Sequence, residues 1–270
     1  MPATEPIRVC VVGATGRMGG TVIRDAPAER FRITGAVAAE GEPAIGRTLN
    51  ELGMADSQAR VVAPSSLADA LSSADVCLSF TSPDAEVTNA PVIAAAGRPL
   101  VLGTTGFSDP QRKHILDALD GRIPCVMSSN FSIGANVLFA MAASLKSLPS
   151  DFDVSILEMH HSGKADAPSG TAKTIAEAVS RARGYSSTVY GRTGLSKRAE
   201  GELEVASFRG GGMPGEHAIY AFGPNEMLKF EHLAFSRSAF AEGALLAARW
   251  ITQAREPRFY TMLEVLGFTA

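Results

Sequence analysis

The sequence has few cysteines, no block of like charge and no apolar run of membrane length, and each absence removes a class of protein. The three cysteines are Cys10, Cys77 and Cys125; they are odd in number, widely spaced, and each sits beside Val or Leu in a strand-like segment. That argues against a disulfide framework or a thiolate metal site and points to buried, reduced thiols, hence a cytoplasmic location. The 25 basic and 28 acidic residues leave a net charge of −3 without runs of either sign, which gives no footprint for nucleic acid. Apolar stretches such as 244–251 contain Arg249 and fall short of the roughly 20 residues a spanning helix needs, so no membrane partner is expected. The start, 1–6, is short and polar and runs straight into an apolar strand. A basic region, a long apolar core and a small-residue cleavage site are missing, so no export signal is read.

What is present is an ordinary globular composition, 46% hydrophobic and 20% charged. At 270 residues the chain exceeds one small core, and two domains are expected. Ile7–Val12 is a β-branched run ending in glycine, and Arg17–Ala26 has helical spacing until Pro27 stops it. Strands follow at Phe31–Ala38, Val61–Val62, Asp75–Phe80, Leu100–Leu102 and Ile123–Met127, with helices at Leu67–Ser73, Ala85–Ala96 and Asp109–Leu119 between them. Alternation of this kind implies βαβ units and a doubly wound parallel sheet. From Asp153 the pattern changes. Asp153–His160, Glu202–Phe208, Glu216–Phe222 and Met227–Phe235 follow one another across glycine-rich loops, which predicts a mixed or antiparallel sheet. The stretch Tyr185–Gly201 has the composition of a mobile loop, and the Ala-rich helical run 240–253 is expected to pack back on the first domain. The fold class is therefore α/β: an N-terminal Rossmann-type doubly wound parallel sheet plus a C-terminal α+β domain with a mixed open sheet. The domains are 1–130, completed by 240–270, and 131–239.

Gly13-Ala14-Thr15-Gly16-Arg17-Met18-Gly19 follows the first strand and opens the first helix, where glycines let backbone N–H groups approach a pyrophosphate. Glu40, near the end of the second strand, lies at the distance expected of an acidic partner for the adenosine ribose. A carboxylate there accepts from a ribose diol and repels a 2′-phosphate, which argues for NADH. Arg17 and Arg47 bring positive charge nearby, so NADH and NADPH both stay open. Two later loops, Gly103-Thr104-Thr105-Gly106 and Ser128-Ser129-Asn130-Phe131, each follow a short apolar strand and are placed for the nicotinamide end.

The densest chemistry runs from Glu158 to Ala172 and holds His160, His161, Lys164, Asp166, Ser169, Gly170 and Thr171. Adjacent side chains on a strand point to opposite faces, so His160 and His161 act together only if the strand ends between them. No cysteine lies nearby and no helical His-x-x-x-His spacing exists, so no metal is expected. Lys164 beside an imidazole suits proton transfer. Ser169 is a plausible N-cap, and the helix start at Gly170 and Thr171 can grip a substrate carboxylate.

These segments, with Asn130-Phe131-Ser132-Ile133-Gly134 and Gly215-Glu216-His217, resemble the 4-hydroxy-tetrahydrodipicolinate reductase (dihydrodipicolinate reductase) family over nearly the whole chain. Asp166-Ala167-Pro168-Ser169-Gly170-Thr171 is the most specific of them. The resemblance implies hydride transfer from NAD(P)H to C4 of the substrate ring with loss of the 4-hydroxyl as water, in the diaminopimelate route to lysine. It assigns His160 and Lys164 as proton donors and His161, Gly170 and Thr171 as substrate contacts. The cofactor contacts it implies are Gly103, Thr104, Thr105, Ser128, Ser129, Asn130 and Phe131, beside the first loop. It also implies a homotetramer joined through the C-terminal domain. One departure stands out: similar family members often carry an acidic residue followed by Arg after the second strand, where this chain has Ala39 and Glu40. NADH is therefore expected to serve at least as well as NADPH.

Two other readings stay open. Another Rossmann-type dehydrogenase would share the glycine loop without reason to carry the Glu158–Thr171 constellation, and a silent nucleotide sensor would bind NADH without oxidising it.

Overall fold

A computed structural model describes residues 5–253 and 256–268. Residues 1–4 of the polar start, and residues 254, 255, 269 and 270 of the C-terminal segment, lie outside the described residues. The chain divides into two compact units, Met1–Phe131 with Phe240–Ala270, and Ser132–Ala239.

The first unit alternates β1 (Ile7–Val12), α1 (Arg17–Asp25), β2 (Phe31–Val37), β3 (Val61–Val62), α2 (Leu67–Ser72), β4 (Val76–Ser79), α3 (Pro83–Ala95), β5 (Leu100–Leu102), α4 (Asp109–Leu119) and β6 (Cys125–Met127). The second holds α5 (Ile133–Ser144), β7 (Asp153–His160), α6 (Gly170–Arg183), β8 (Ser187–Val189), β9 (Glu202–Arg209), β10 (Glu216–Phe222) and β11 (Met227–Leu233). The chain then returns through α7 (Ser238–Ile251), β12 (Phe259–Tyr260) and α8 (Met262–Val265).

All paired strands of the first sheet are parallel, in the order β12-β6-β5-β4-β1-β2-β3. The strands β4 and β5 are buried along their whole length, as a parallel sheet covered on both faces requires. One face packs Val22 and Ile23 of α1 with Ala244, Leu245 and Ala248 of α7; the other packs α2, α3 and α4 through Leu71, Ile93, Ile115 and Leu119. Each buried Val, Leu or Ile side chain among them stabilises the unit by roughly 1.5–3 kcal/mol relative to exposure. Cys10, Cys77 and Cys125 are free and buried in this second layer, and burial pushes the Cys10 thiol up to about 12. The chain winds outward from β1 to β3 and then from β4 to β6, so the direction reverses between β1 and β4. Their carboxyl ends form the crevice where such sheets take ligands.

The second sheet has the order β11-β10-β7-β9-β8. β10 runs antiparallel to β7 and β11, whereas β9 is parallel to β7 and β8, so the sheet is mixed. The expected fold class is borne out. Strand β7 alternates exposure so that Val154, Ile156, Glu158 and His160 share the buried face. Val154 and Ile156 pack there against Leu138 and Phe139 of α5 and Ile175 and Val179 of α6. Among the described residues no helix is long and apolar enough to cross a membrane.

Three differences from the sequence reading have physical causes. Helix α5 has no clear polar face, with Ala135, Leu138, Phe139 and Ala142 buried while Ile133 and Val137 are exposed, and so leaves no helical period to read. The stretch Tyr185–Gly201 is not loop throughout, because Ser187–Val189 pairs in parallel with Glu202–Glu204. Strand β12 is too short to show a pattern and is defined by its pairing with β6.

Candidate active site

In the first unit the glycine loop closes on β4. Gly13 has φ +84°, and a Cβ there would lie 2.2 Å from the Phe80 carbonyl oxygen; a Cβ at Gly19 would lie 2.1 Å from the Gly13 carbonyl oxygen. Only glycine satisfies both contacts. Gly16, in extended backbone, is the N-cap of α1, and no side chain caps that helix start. Serines cap α3, α4, α5 and α6. The bare start of α1 leaves first-turn N–H groups for an anion, and Thr15, Gly16 and Arg17 are exposed beside it while Met18 is half-buried. The loop thus fits a dinucleotide pyrophosphate. Glu40 is exposed in a turn just past β2, followed by Gly41 at φ +80°.

The other two loops end β5 and β6. Thr104 is buried: its hydroxyl accepts the Thr81 N–H (3.0 Å) and donates to Glu86 Oε2 (2.8 Å). Ser79 and Thr81 donate to the same oxygen, each at 2.7 Å. Glu86 is fully buried, and burial pushes its carboxyl above the usual range against the pull of those hydroxyls. The Thr104 hydroxyl is therefore spent on the protein, and Thr105 and Gly106 are the exposed part of the loop. Ser128 Oγ accepts the Asn130 N–H (3.2 Å) and donates to the Asn130 carbonyl (2.7 Å), which fixes the loop Ser128–Phe131. Ser129 is exposed, whereas Phe131 is buried edge-on against Phe80, 6.0 Å between centroids. The side chains of Ala14, Thr104 and Phe131 are buried, so contacts made by those residues come from backbone. A cavity of 470 Å³ brings Thr104, Thr105, Ser128 and Ser129 together with Tyr260. Sequence reasoning missed Phe80 and Glu86, whose roles come from packing across strands.

In the second unit the buried face of the sheet turns polar at one end. Register places Ser207 and His217 beside Glu158, Arg209 beside His160, and His232 beside His217. Glu158 is 0% exposed and takes donors on both carboxylate oxygens. Oε2 accepts from His160 Nδ1 (2.5 Å) and Arg209 Nη1 (3.0 Å). Oε1 accepts from Arg209 Nη2 (2.7 Å) and the Ser169 N–H (3.2 Å). Burial pushes this carboxyl up, but hydrogen bonds from Arg209, Ser207 and His160 outweigh it and hold it below the usual range. Glu158 is ionised.

Ser169 links the carboxylate to the helix. It caps α6 by accepting the Ala172 N–H (3.1 Å), and its hydroxyl meets His217 Nε2 (3.0 Å). His217 packs edge-on to His160, 5.1 Å between centroids, and burial first, then the His160 charge, takes it down to about 3, so it stays neutral. Burial likewise draws His160 below its ordinary value, opposed by Glu158 and assisted by Lys164 and Arg209. Lys164 is thus close enough for its charge to act at both imidazoles. Its Nζ donates to Asp166 Oδ1 (2.6 Å), while Arg209 Nη2 donates to the Asp166 carbonyl (2.6 Å) and holds the loop. The strand ends at His160, and His161 opens a turn in which its carbonyl accepts the Lys164 N–H (3.1 Å). Gly170 and Thr171 are the first residues of α6. The structure therefore gathers His160, Lys164, Gly170 and Thr171 around the Ser169 cap, with His161 on the turn leading to Lys164.

Glu158, Arg209 and His217 were not assigned from sequence. The spacing of Glu158 two residues before His160 on a strand was a legible signal; Arg209, 51 residues from its partner, had none. Glu158, His160 and His217 bring donor atoms within 4.8 Å of one another, a spacing that could bracket a cation. Arg209 already occupies both carboxylate oxygens, so the residues do not fit a metal.

Two family models match the chain: dihydrodipicolinate reductase, N-terminus, over residues 7–131, and dihydrodipicolinate reductase, C-terminus, over residues 134–266. Relatives named 4-hydroxy-tetrahydrodipicolinate reductase include one from Rubrobacter xylanophilus, 40% identical over 97% of this chain and 98% of its own. Another, from Methanopyrus kandleri, is 38% identical over 96% of both chains. Among solved structures, a dipicolinate-bound dihydrodipicolinate reductase from Paenisporosarcina sp. TG-14 superposes with a TM-score of 0.72 at 24% identity, covering 96% of this chain and 98% of that one. An amine dehydrogenase from Mycobacterium smegmatis shares the fold at a TM-score of 0.58 and 15% identity, covering 95% of both chains.

Proposed function

This chain belongs to the dihydrodipicolinate reductase family, and from that premise we propose that its two units divide the work of one reduction. The reaction converts 4-hydroxy-tetrahydrodipicolinate to tetrahydrodipicolinate in the diaminopimelate route to lysine, adding a hydride and a proton and expelling the 4-hydroxyl as water. A nicotinamide dinucleotide supplies the hydride. In our reading it is held by Gly13–Met18, Glu40, Gly103–Thr105 and Ser128–Phe131 of the first unit. The dicarboxylate substrate is held by His161, Gly170 and Thr171 of the second, with His160 and Lys164 as proton donors. The observation that carries this is the convergence, within one unit, of an imidazole, an ammonium and a serine-capped helix start.

The residues divide the chemistry as follows. The start of α6 takes a substrate carboxylate on its first-turn amides, assisted by the helix dipole. Lys164 exchanges Asp166 for the substrate. The negative charge of the substrate favours the imidazolium form of His160, which then gives up its proton as the ring is reduced.

For the cofactor, we propose that NADH serves at least as well as NADPH. Glu40 is followed by glycine, and the guanidinium groups of Arg47 and Arg60 are engaged by the carbonyls of Glu51 and Gly46. We also propose a homotetramer joined through the second sheet. Its face opposite α5 and α6 carries Phe208, Phe222, Met227 and Leu233, which are 56%, 41%, 51% and 39% exposed. Buried free thiols suit a reducing cytoplasm, where we place the protein. The test is NADH oxidation with the upstream synthase product supplied, repeated with NADPH. Turnover at comparable rates is expected; a large NADPH advantage overturns the cofactor reading, and tight NADH binding without turnover supports a sensor instead.

A further inference from the structure

We propose that Glu158 is a positioning residue for the reduction: its buried carboxylate holds Nδ1 of His160 in a 2.5 Å hydrogen bond, turns Nε2 toward the substrate and gives the imidazolium a fixed counter-ion. This rests on the assignment of His160 as a proton donor.

The tautomer follows from donor counting. Glu158 already accepts from Arg209 and from the Ser169 N–H, and an ionised carboxylate cannot donate, so His160 Nδ1 must carry the hydrogen. Nε2 is left as the nitrogen that exchanges a proton. A Cβ at Gly215 would sit 2.9 Å from Nε2, and Gly215 has φ +153°, so only glycine leaves this atom its space.

The charges around the ring explain why a counter-ion is needed. His160 is faced by Glu158 on its own strand, Lys164 and Asp166 on the following loop, Arg209 on β9, neutral His217 on β10, and the Ser169 cap of α6. Asp166 is spent on Lys164. Burial, Lys164 and Arg209 all disfavour imidazolium, and Glu158 opposes them. Without the carboxylate charge, the ring faces two cations and no free anion. A purely structural Glu158 would only neutralise Arg209 and tie β7 to α6.

The two roles separate in a pH profile. If turnover needs protonated His160, activity is lost as pH rises through its pKa, so lowering that pKa moves the basic limb of kcat to lower pH. Glu158→Gln keeps the shape and removes the charge. The limb should fall by about one pH unit or more, with kcat at pH 7.5 down about tenfold. The His160 ring proton should titrate correspondingly lower by NMR in the free protein, and the NADH Kd should hold within about twofold. Arg209→Gln, a second variant should the first fail to fold, removes an opposing cation and should move the limb upward. A limb and an NMR midpoint that stay put in either folded variant overturn the proposal, even if kcat drops. His160→Gln keeping full turnover would instead sink the underlying assignment of His160.

Discussion

His217, quoted in the sequence only within a resembling segment and given no role there, shows how a buried imidazole governs behaviour in solution. It is buried against His160 and bonded to the Ser169 cap, and its folded pKa is about 3 against an ordinary 6.5. The unfolded chain therefore binds the proton more readily. The stability His217 contributes is full above about pH 6.5 and is lost as pH falls toward about 3, at up to about 1.4 kcal/mol per pH unit. His160 and His232 are displaced the same way. Urea denaturation followed from pH 7 to pH 4.5 should show this slope, and His217→Gln should flatten it; an unchanged slope in the variant contradicts the burial argument. The residues written close together, His160, Lys164 and Ser169, were legible because one segment carries them. Arg209 and His217 were not, because strand register brings them to Glu158 from 51 and 59 residues away, and Glu86 was not, because its role depends on the end of β4 and the loop after β5 converging on a helix.

At the scale of elements, α6 links fold to chemistry. Ser169 satisfies the Ala172 amide, and the same hydroxyl meets His217, so the cap also seats the turn proposed to grip the substrate. Ser169→Ala should cost about 1 kcal/mol in stability. It should raise the substrate KM several-fold with the NADH Kd unchanged, as read by initial rates and by cofactor fluorescence. An unaltered KM would reduce the cap to a structural feature. This helix announced itself through its N-cap and spacing, and the buried strands through their β-branched runs. Helix α5 stayed hidden because apolar residues on nearly every side erase the period on which sequence reading depends.

For the whole molecule, alternation of strands and helices was enough to read the doubly wound sheet, and consecutive strands the mixed one. Which strand sits at which edge was not, since β12 depends on pairing across the chain. The second sheet leaves Phe208, Phe222, Met227 and Leu233 exposed on the face opposite α5 and α6 among the described residues. This face is the surface on which the proposed tetramer rests, since an exposed apolar patch of this kind suits association. Phe208→Lys should shift the mass seen by light scattering from tetramer to smaller species while NADH binding persists, and a wild-type monomer at micromolar concentration would refute the assembly.

The most direct test of the central claim is to measure turnover and NADH affinity together in Lys164→Ala. If Lys164 donates a proton to the substrate, kcat/KM with the synthase product should fall about 100-fold or more while the NADH Kd stays within about twofold of wild type. Turnover unchanged in that variant would contradict the assignment of the second unit as the site of reduction.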